Sequence, residues 1–129
     1  MIVLDSCAYV DALIRPVGDP LRRRIAGLPD IHVPAHFDVE VADVLRRLHH
    51  QESAITAEQG QTEIHNLRNA RISRHGVLAL LDDMWSHRNN LSMHDAAYVT
   101  LAADLQLPLV TTDKRLANAP SLACRIELF

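Results

Sequence analysis

The chain has 129 residues, the length of one ordinary domain, and an apolar content of 48% gives it enough material for a core of its own. Its formal net charge of −3, from 13 basic against 16 acidic residues, excludes a protein that grips nucleic acid by bulk positive potential and leaves only local patches for that purpose. All the basic residues but Lys114 are Arg, a bias that suits bidentate phosphate contacts and is equally the product of a GC-rich coding sequence.

The opening MIVLDSCAYV has no basic leader and meets Asp5 early, so it does not read as a signal peptide. Ile2 to Leu4 is a short apolar run, and Ser6 to Ile14 after it is compatible with a helix that Pro16 and Gly18 end. A short, Arg-rich helix fits Asp19 to Ala26, with Pro20 at its first position and Gly27 as its stop. Ile31 to Val33 is the next strand, closed by Pro34. From Ala35 to about His50 the residues Phe37, Val41, Val44, Leu45 and Leu48 recur at helical spacing, which predicts an amphipathic helix on a core.

Thr56 and Gln59 make a capping box for a more polar helix to about Ala70, one that packs weakly or awaits a partner. Ile72 and Ser73 read as a short strand, and Gly76 precedes a strongly apolar helix from Val77 to about His87 that Asn89 and Asn90 break. Ser92 and Asp95 repeat the capping pattern ahead of a tightly packed helix through Leu105. After Pro108, Leu109 to Thr111 reads as a strand, Asp113 to Ala117 as a helical turn and Arg125 to Leu128 as a closing strand. Strands alternating with helices predict an α/β fold with a mostly parallel sheet and helices on both faces, in one domain over residues 1–129. No apolar run is long enough to span a bilayer. Cys7 and Cys124 read as buried free thiols of a cytoplasmic protein, and the eight histidines follow no metal-site pattern.

Four acids stand out. In open parallel sheets function gathers beyond the carboxyl ends of the strands, where Asp5 and Asp113 fall. Each has a plain alternative, since an Asp between strand and helix is a favoured N-cap worth about 1 kcal/mol. Asp95 has the same alternative through Ser92, yet it shares the face of Tyr98, Val99 and Ala102, which is expected to be buried and would demand a charge partner. On the helix from Ala35, Asp38 and Glu40 both flank the apolar stripe, and periodicity does not choose between them. Mg²⁺ takes hard oxygen ligands, keeps several waters and binds one or two carboxylates directly, so three or four acids suffice for one or two ions that would polarise a phosphoryl group. With four glycines and no phosphate-cradling loop or Ser-His-Asp order, nothing else in the chain competes for a catalytic role.

The segment RNNLSMHDAAYVTLAADLQLPLVTTDKRLA, residues 88 to 117, closely resembles the C-terminal signature of PIN-domain ribonucleases, in particular the VapC toxins of toxin–antitoxin pairs. Asn90, Ser92 and Asp95 match the family's Asn-x-[Thr/Ser]-x-x-Asp, Ala96 to Leu101 its Ala-x-Tyr-x-x-Leu run, and Thr111, Asp113, Arg115 and Leu116 its late strand and turn. IVLDSCAYVDALI matches the first strand with its acid, Asp5, followed by Ser6, and FDVEVADVLRRL matches the helix that carries the second acid. The resemblance thus selects Glu40 over Asp38. The match departs at His94, where relatives often have an aromatic such as Tyr, and at Cys7, where a small residue is common.

The resemblance implies a single PIN-like domain in which Asp5, Glu40, Asp95 and Asp113 bind Mg²⁺ or Mn²⁺ and an activated water cleaves RNA. It also implies positioning roles for Ser6 and Thr111, a structural ion pair or an RNA contact for Arg115, a homodimer, and silencing by a cognate VapB-like antitoxin in a type II toxin–antitoxin system. A housekeeping RNA-processing PIN nuclease is the alternative within this class, and a non-catalytic PIN binding module is a more distant one. A receiver-type phosphoacceptor switch would need a paired acid after the first strand and a suitably placed Lys, whereas Asp5 is followed by Ser6 and Cys7, and Lys114 sits beside an acid.

Overall fold

Three consecutive fully buried residues form the central strand, β1 (Ile2–Leu4). A strand covered on both faces reads as a continuous apolar run, not as an alternation. The computed structural model describes residues 1–27, 30–51 and 53–129. Within them follow α1 (Ser6–Ile14), α2 (Pro20–Ala26), β2 (Ile31–Pro34), α3 (Phe37–His50), α4 (Ala57–Asn69) and β3 (Ile72–His75). A 3₁₀ turn (Leu78–Leu80) leads into α5 (Leu81–Ser86), and then come α6 (Met93–Asp104), β4 (Leu109–Thr111), α7 (Lys114–Ala117) and β5 (Ile126–Leu128).

The five strands are all parallel, in the order β3-β2-β1-β4-β5. β1 sets the register on both sides, with Val3 opposite His32 of β2 and Leu109 of β4. The chain therefore winds outward from β1 through β2 to β3, then returns to the other side of β1 for β4 and β5. Right-handed crossovers running in opposite directions put their helices on opposite faces. Accordingly α1 packs against α2 and α3, and α3 against α4, while α6 lies on β1, β2 and β4 and carries α5. Every residue of α6 from Ala96 to Ala102 is buried. Tyr9 meets Phe37 edge-on at 5.5 Å between ring centres, joining α1 to α3.

Local chemistry accounts for the boundaries. Asp19 caps α2 by accepting from the Leu21 amide at 2.8 Å, with Pro20 in the first turn. The preceding turn, closed by Asp19 N–H to Pro16 O at 3.1 Å, places Gly18 at φ +92°, which favours glycine. Both bonds of the Thr56–Gln59 capping box form, and α4 buries only Leu67, as its polar sequence leads one to expect.

Several elements differ from the sequence reading. β2 runs through Pro34, and β3 continues to His75 because Ala35 N–H donates to His75 O at 2.8 Å. α3 begins at Phe37 rather than Ala35. The expected apolar helix from Val77 breaks into a 3₁₀ turn and a six-residue helix that buries only Leu80 and Met84. Leu78, Leu81 and Trp85 face outward, at 82%, 47% and 61% exposure. Apolar residues lie all round this segment, and only one side of it meets α6. No helix among the described residues is long and apolar enough to cross a membrane.

Candidate active site

The winding reverses between β1 and β4, and the crevice beyond the carboxyl ends of those strands is where open parallel sheets bind ligands. Asp5 ends β1 there, its amide donating to Val110 O of β4 at 3.0 Å. Although it stands at the N-cap position of α1, its side chain caps nothing. The carboxylate instead accepts from the Thr111 hydroxyl at 2.6 Å and the Ser6 hydroxyl at 3.4 Å. Only 5% of Asp5 is exposed, and among the described residues it has no ion-pair partner. Burial pushes its pKa up to about 6; the Thr111 bond opposes this, and the charges of Glu40 and Asp95 add to it.

Thr111 ties two acids together. The same fully buried hydroxyl that donates to Asp5 accepts from the Asp113 amide at 3.0 Å. Asp113 does cap a helix: its Oδ1 accepts from the amides of Arg115 at 2.7 Å and Leu116 at 3.2 Å. Its Oδ2 is left toward the crevice, 3.6 Å from an Arg115 nitrogen. Cap and ligand are therefore compatible roles, one for each oxygen.

Asp95 lies in the first turn of α6, and its amide donates to Ser92 Oγ at 3.1 Å. The sequence reading placed its carboxylate on the buried face with Tyr98 and Val99. The side chain is 24% exposed instead, opening into the crevice, and Arg115 stands 3.5 Å from it. Arg115 thus bridges Asp95 and Asp113, but 83% of its side chain is exposed and both contacts are long.

On α3, Glu40 and Asp38 part company. Asp38 forms a two-pronged pair with Arg74 of β3, at 2.6 and 2.9 Å, and faces the groove between α3 and α4. Glu40 faces the crevice, where Tyr98 donates its hydroxyl to Oε2 at 2.6 Å and His36 Nε2 lies 3.7 Å from Oε1. Burial first, and then this bond to a carboxylate, raise the Tyr98 pKa. His36 is half-buried; its ring packs at 5.1 Å from His94 and 5.3 Å from Tyr98, and burial lowers its pKa. His94 fills an aromatic position with an aromatic contact.

Asp5, Glu40, Asp95 and Asp113 all line one crevice of about 430 Å³, together with Ser6 and Arg115. Hollows of about 470 and 510 Å³ elsewhere have no such set of acids. Cys7 is exposed at the wall of the acidic crevice, which corrects the expectation of a buried thiol. Desolvation by its surroundings, then the charges of Asp5, Asp11, Asp113 and Glu40, push its thiol up to about 11, so it stays protonated at neutral pH.

As the side chains stand, no three His, Cys, Asp or Glu among the described residues close around a single point. A hard, water-rich ion needs only one or two direct carboxylates, and the acids available to one in this crevice are Asp5, Glu40, Asp95 and Asp113. Sequence reading did not single out Tyr98 or His36 as supports of Glu40. The signal for Tyr98 was present, since it lies three residues after Asp95 and so on the same side of α6.

Residues 2–122 match the sequence family described as PIN domain. This chain belongs to the PIN-domain family. Its relatives within that family include VapC proteins. It is 40% identical over 120 residues to Ribonuclease VapC3 of Mycobacterium tuberculosis, covering 92% of this chain and 86% of that one. It is 36% identical over 128 residues to VapC ribonuclease Mb0985 of Mycobacterium bovis, covering 99% and 98%. Solved structures with this fold include FitAcB of Neisseria gonorrhoeae, at a TM-score of 0.68 and 16% identity over 97% of this PIN domain and 96% of that chain. Another is M. tuberculosis VapC20, described as a sarcin-ricin loop cleaving toxin, at 0.66 and 17% over 97% and 99%.

Proposed function

We propose that this PIN domain is the toxin of a VapBC-like type II toxin–antitoxin pair, an endoribonuclease that hydrolyses RNA phosphodiester bonds with Mg²⁺ or Mn²⁺. The observation that carries this reading is the meeting of four carboxylates at the switch point of the sheet, with Asp5 buried there among oxygen donors and without a cation. The names of its VapC relatives support the ribonuclease activity.

A bound divalent ion would supply polarisation of the phosphoryl oxygens and a more acidic attacking water. Asp5 and Asp95 are its direct holders in this proposal, and Glu40 and Asp113 orient the surrounding waters. Thr111 fixes the Asp5 carboxylate and the Asp113 backbone in one geometry, and Tyr98 does the same for Glu40. Ser6 adds a second hydroxyl beside Asp5. The test is cleavage of a structured RNA by the purified protein with Mn²⁺, with chelator, and after Asp5→Asn. Cleavage that needs the ion and falls at least about a hundredfold in the variant is expected; full activity in Asp5→Asn would sink the site.

The partners follow the same reading. A VapB-like antitoxin is proposed to silence the enzyme, supported by the likeness to a toxin–antitoxin complex from Klebsiella pneumoniae, at a TM-score of 0.62. A second copy of the chain is proposed to cover the exposed stripe of Leu78, Leu81 and Trp85. Asp82 and Asp83 open this segment, and Arg88 stacks over Trp85 at its far end, so an antiparallel two-fold pairing brings opposite charges together. Trp85→Glu should then sediment as a monomer where the parent protein is a dimer; unchanged sedimentation places the contact elsewhere.

A further inference from the structure

A pocket that must admit a polyanion is here walled by Asp5, Glu40, Asp43, Asp95 and Asp113. Divalent ions at the cleaved phosphate offset some of that charge, but the phosphates on either side of it still approach an acidic wall. Two cations line the same crevice, Arg115 at its α7 side and Arg47 on α3. Arg47 follows Glu40 by seven residues, two helical turns, and so stands about 10 Å further along nearly the same face.

Both arginines are loosely held. Arg47 lies 3.8 Å from Asp43, which Arg46 already engages at 2.9 Å, and the Arg47 side chain is half-exposed. Among the described residues Arg115 has only two ion-pair contacts, both long, at 3.5 and 3.6 Å. Exposed ion pairs of this kind contribute little to stability, so neither side chain is committed to the fold. The contrast is with Arg24 and Arg74, fixed at 2.7 and 2.6 Å to Glu127 and Asp38 and not part of the crevice lining. A planar guanidinium free to turn matches a phosphate in two-pronged fashion.

We propose that Arg47 holds a phosphate flanking the cleaved one, across the crevice from Arg115, for which the family resemblance already implies an RNA contact, so that a single strand of RNA crosses from the α3 wall to the α7 wall. The assignment rests on the ribonuclease reading. Both residues are positioning residues: they set where the strand lies and do not act on the reacting atoms.

The experiment measures binding of a 5′-fluorescein single-stranded RNA 12-mer of mixed sequence between 50 and 300 mM salt. It uses full-length Asp95→Asn protein, which keeps the RNA uncut, with and without Arg47→Ala or Arg115→Ala. Each loss should weaken binding about 5–20-fold at low salt and reduce the slope of log affinity against log salt by about 0.7, the value for one phosphate contact on a single strand. Arg47→Lys should restore most of the slope. In an otherwise unaltered chain, Arg47→Ala should raise KM with little change in kcat and leave the melting temperature and calorimetric Mn²⁺ affinity unchanged. An unchanged salt slope in Arg47→Ala or Arg115→Ala overturns the proposal even when Mn²⁺-dependent RNA cleavage is intact. Absence of RNA binding and cleavage by the unaltered protein overturns the ribonuclease reading as well.

Discussion

The hydrogen bond from Tyr98 to Glu40 joins a helix on one face of the sheet to the first turn of a helix on the other. Its length of 2.6 Å and its charged acceptor place it among the stronger bonds of the chain. Because Tyr98 is 1% exposed, removing its hydroxyl leaves Glu40 free to swing, with a small void in place of the donor. Tyr98→Phe should cost about 1.5–3 kcal/mol in stability, the usual range for a hydrogen bond to a charged group. Weaker Mn²⁺ binding by calorimetry should accompany the loss. If metal affinity is unchanged while stability falls, Tyr98 serves packing and not the site. Residue-scale reasoning from sequence singles out Asp5, Asp95 and Asp113, and the family resemblance adds Glu40, but neither reaches this second layer, because a helical pattern shows which side chains share a face and not which faces meet across a sheet edge. For the same reason the choice between Asp38 and Glu40 stayed open on periodicity alone, while in the structure Arg74, far along the chain, draws Asp38 away.

At the scale of elements, β2 and β3 carry a pH-sensitive seam. His32 Nδ1 and His75 Nε2 lie 2.9 Å apart, a bond in which one ring donates and the other accepts, so both cannot be protonated. His32 Nε2 is buried without a partner, and burial first, then His75, lower the His32 pKa. A histidine with a lowered folded pKa stabilises the protein fully above its unfolded value near 6.5, and that contribution is lost as pH falls through the folded value. Acidification below about pH 6.5 should therefore lower the melting temperature of the parent relative to that of His32→Gln, a difference that isolates His32 because protonation of buried Asp5 works the opposite way in both proteins. An identical pH profile in the variant would assign the acid sensitivity to other groups. Elements with a strong period or a clear cap were legible in the sequence: α3 by its apolar stripe, α4 by Thr56 and Gln59, β1 by its unbroken apolar run. The segment from Val77 was not, because an apolar residue shows that water is avoided and not whether the core or a partner does the covering. Leu78, Leu81 and Trp85 satisfy the pattern of a core helix while standing outside the core.

For the whole molecule, winding order decides where chemistry can sit. A sheet that starts at its centre and reverses between β1 and β4 brings together acids separated by more than a hundred positions, Asp5 and Asp113, through a single hydroxyl on Thr111. The burial of Asp5 costs stability whenever it is ionised, since nothing among the described residues neutralises it. A divalent ion would remove that cost and would bind the folded chain in preference to the unfolded one, stabilising it by about 2.7 kcal/mol at a hundredfold excess over the dissociation constant. Mn²⁺ should raise the melting temperature of the chelator-treated protein by several degrees, and chelator should reverse the rise. In Asp5→Asn the metal effect should vanish, while the metal-free variant melts no lower than its parent, because the substitution removes a buried charge and keeps the volume. A metal effect retained in that variant would move the ion away from Asp5. A metal-free variant that unfolds well below its parent would instead make the carboxylate a structural element of the β1–β4 junction.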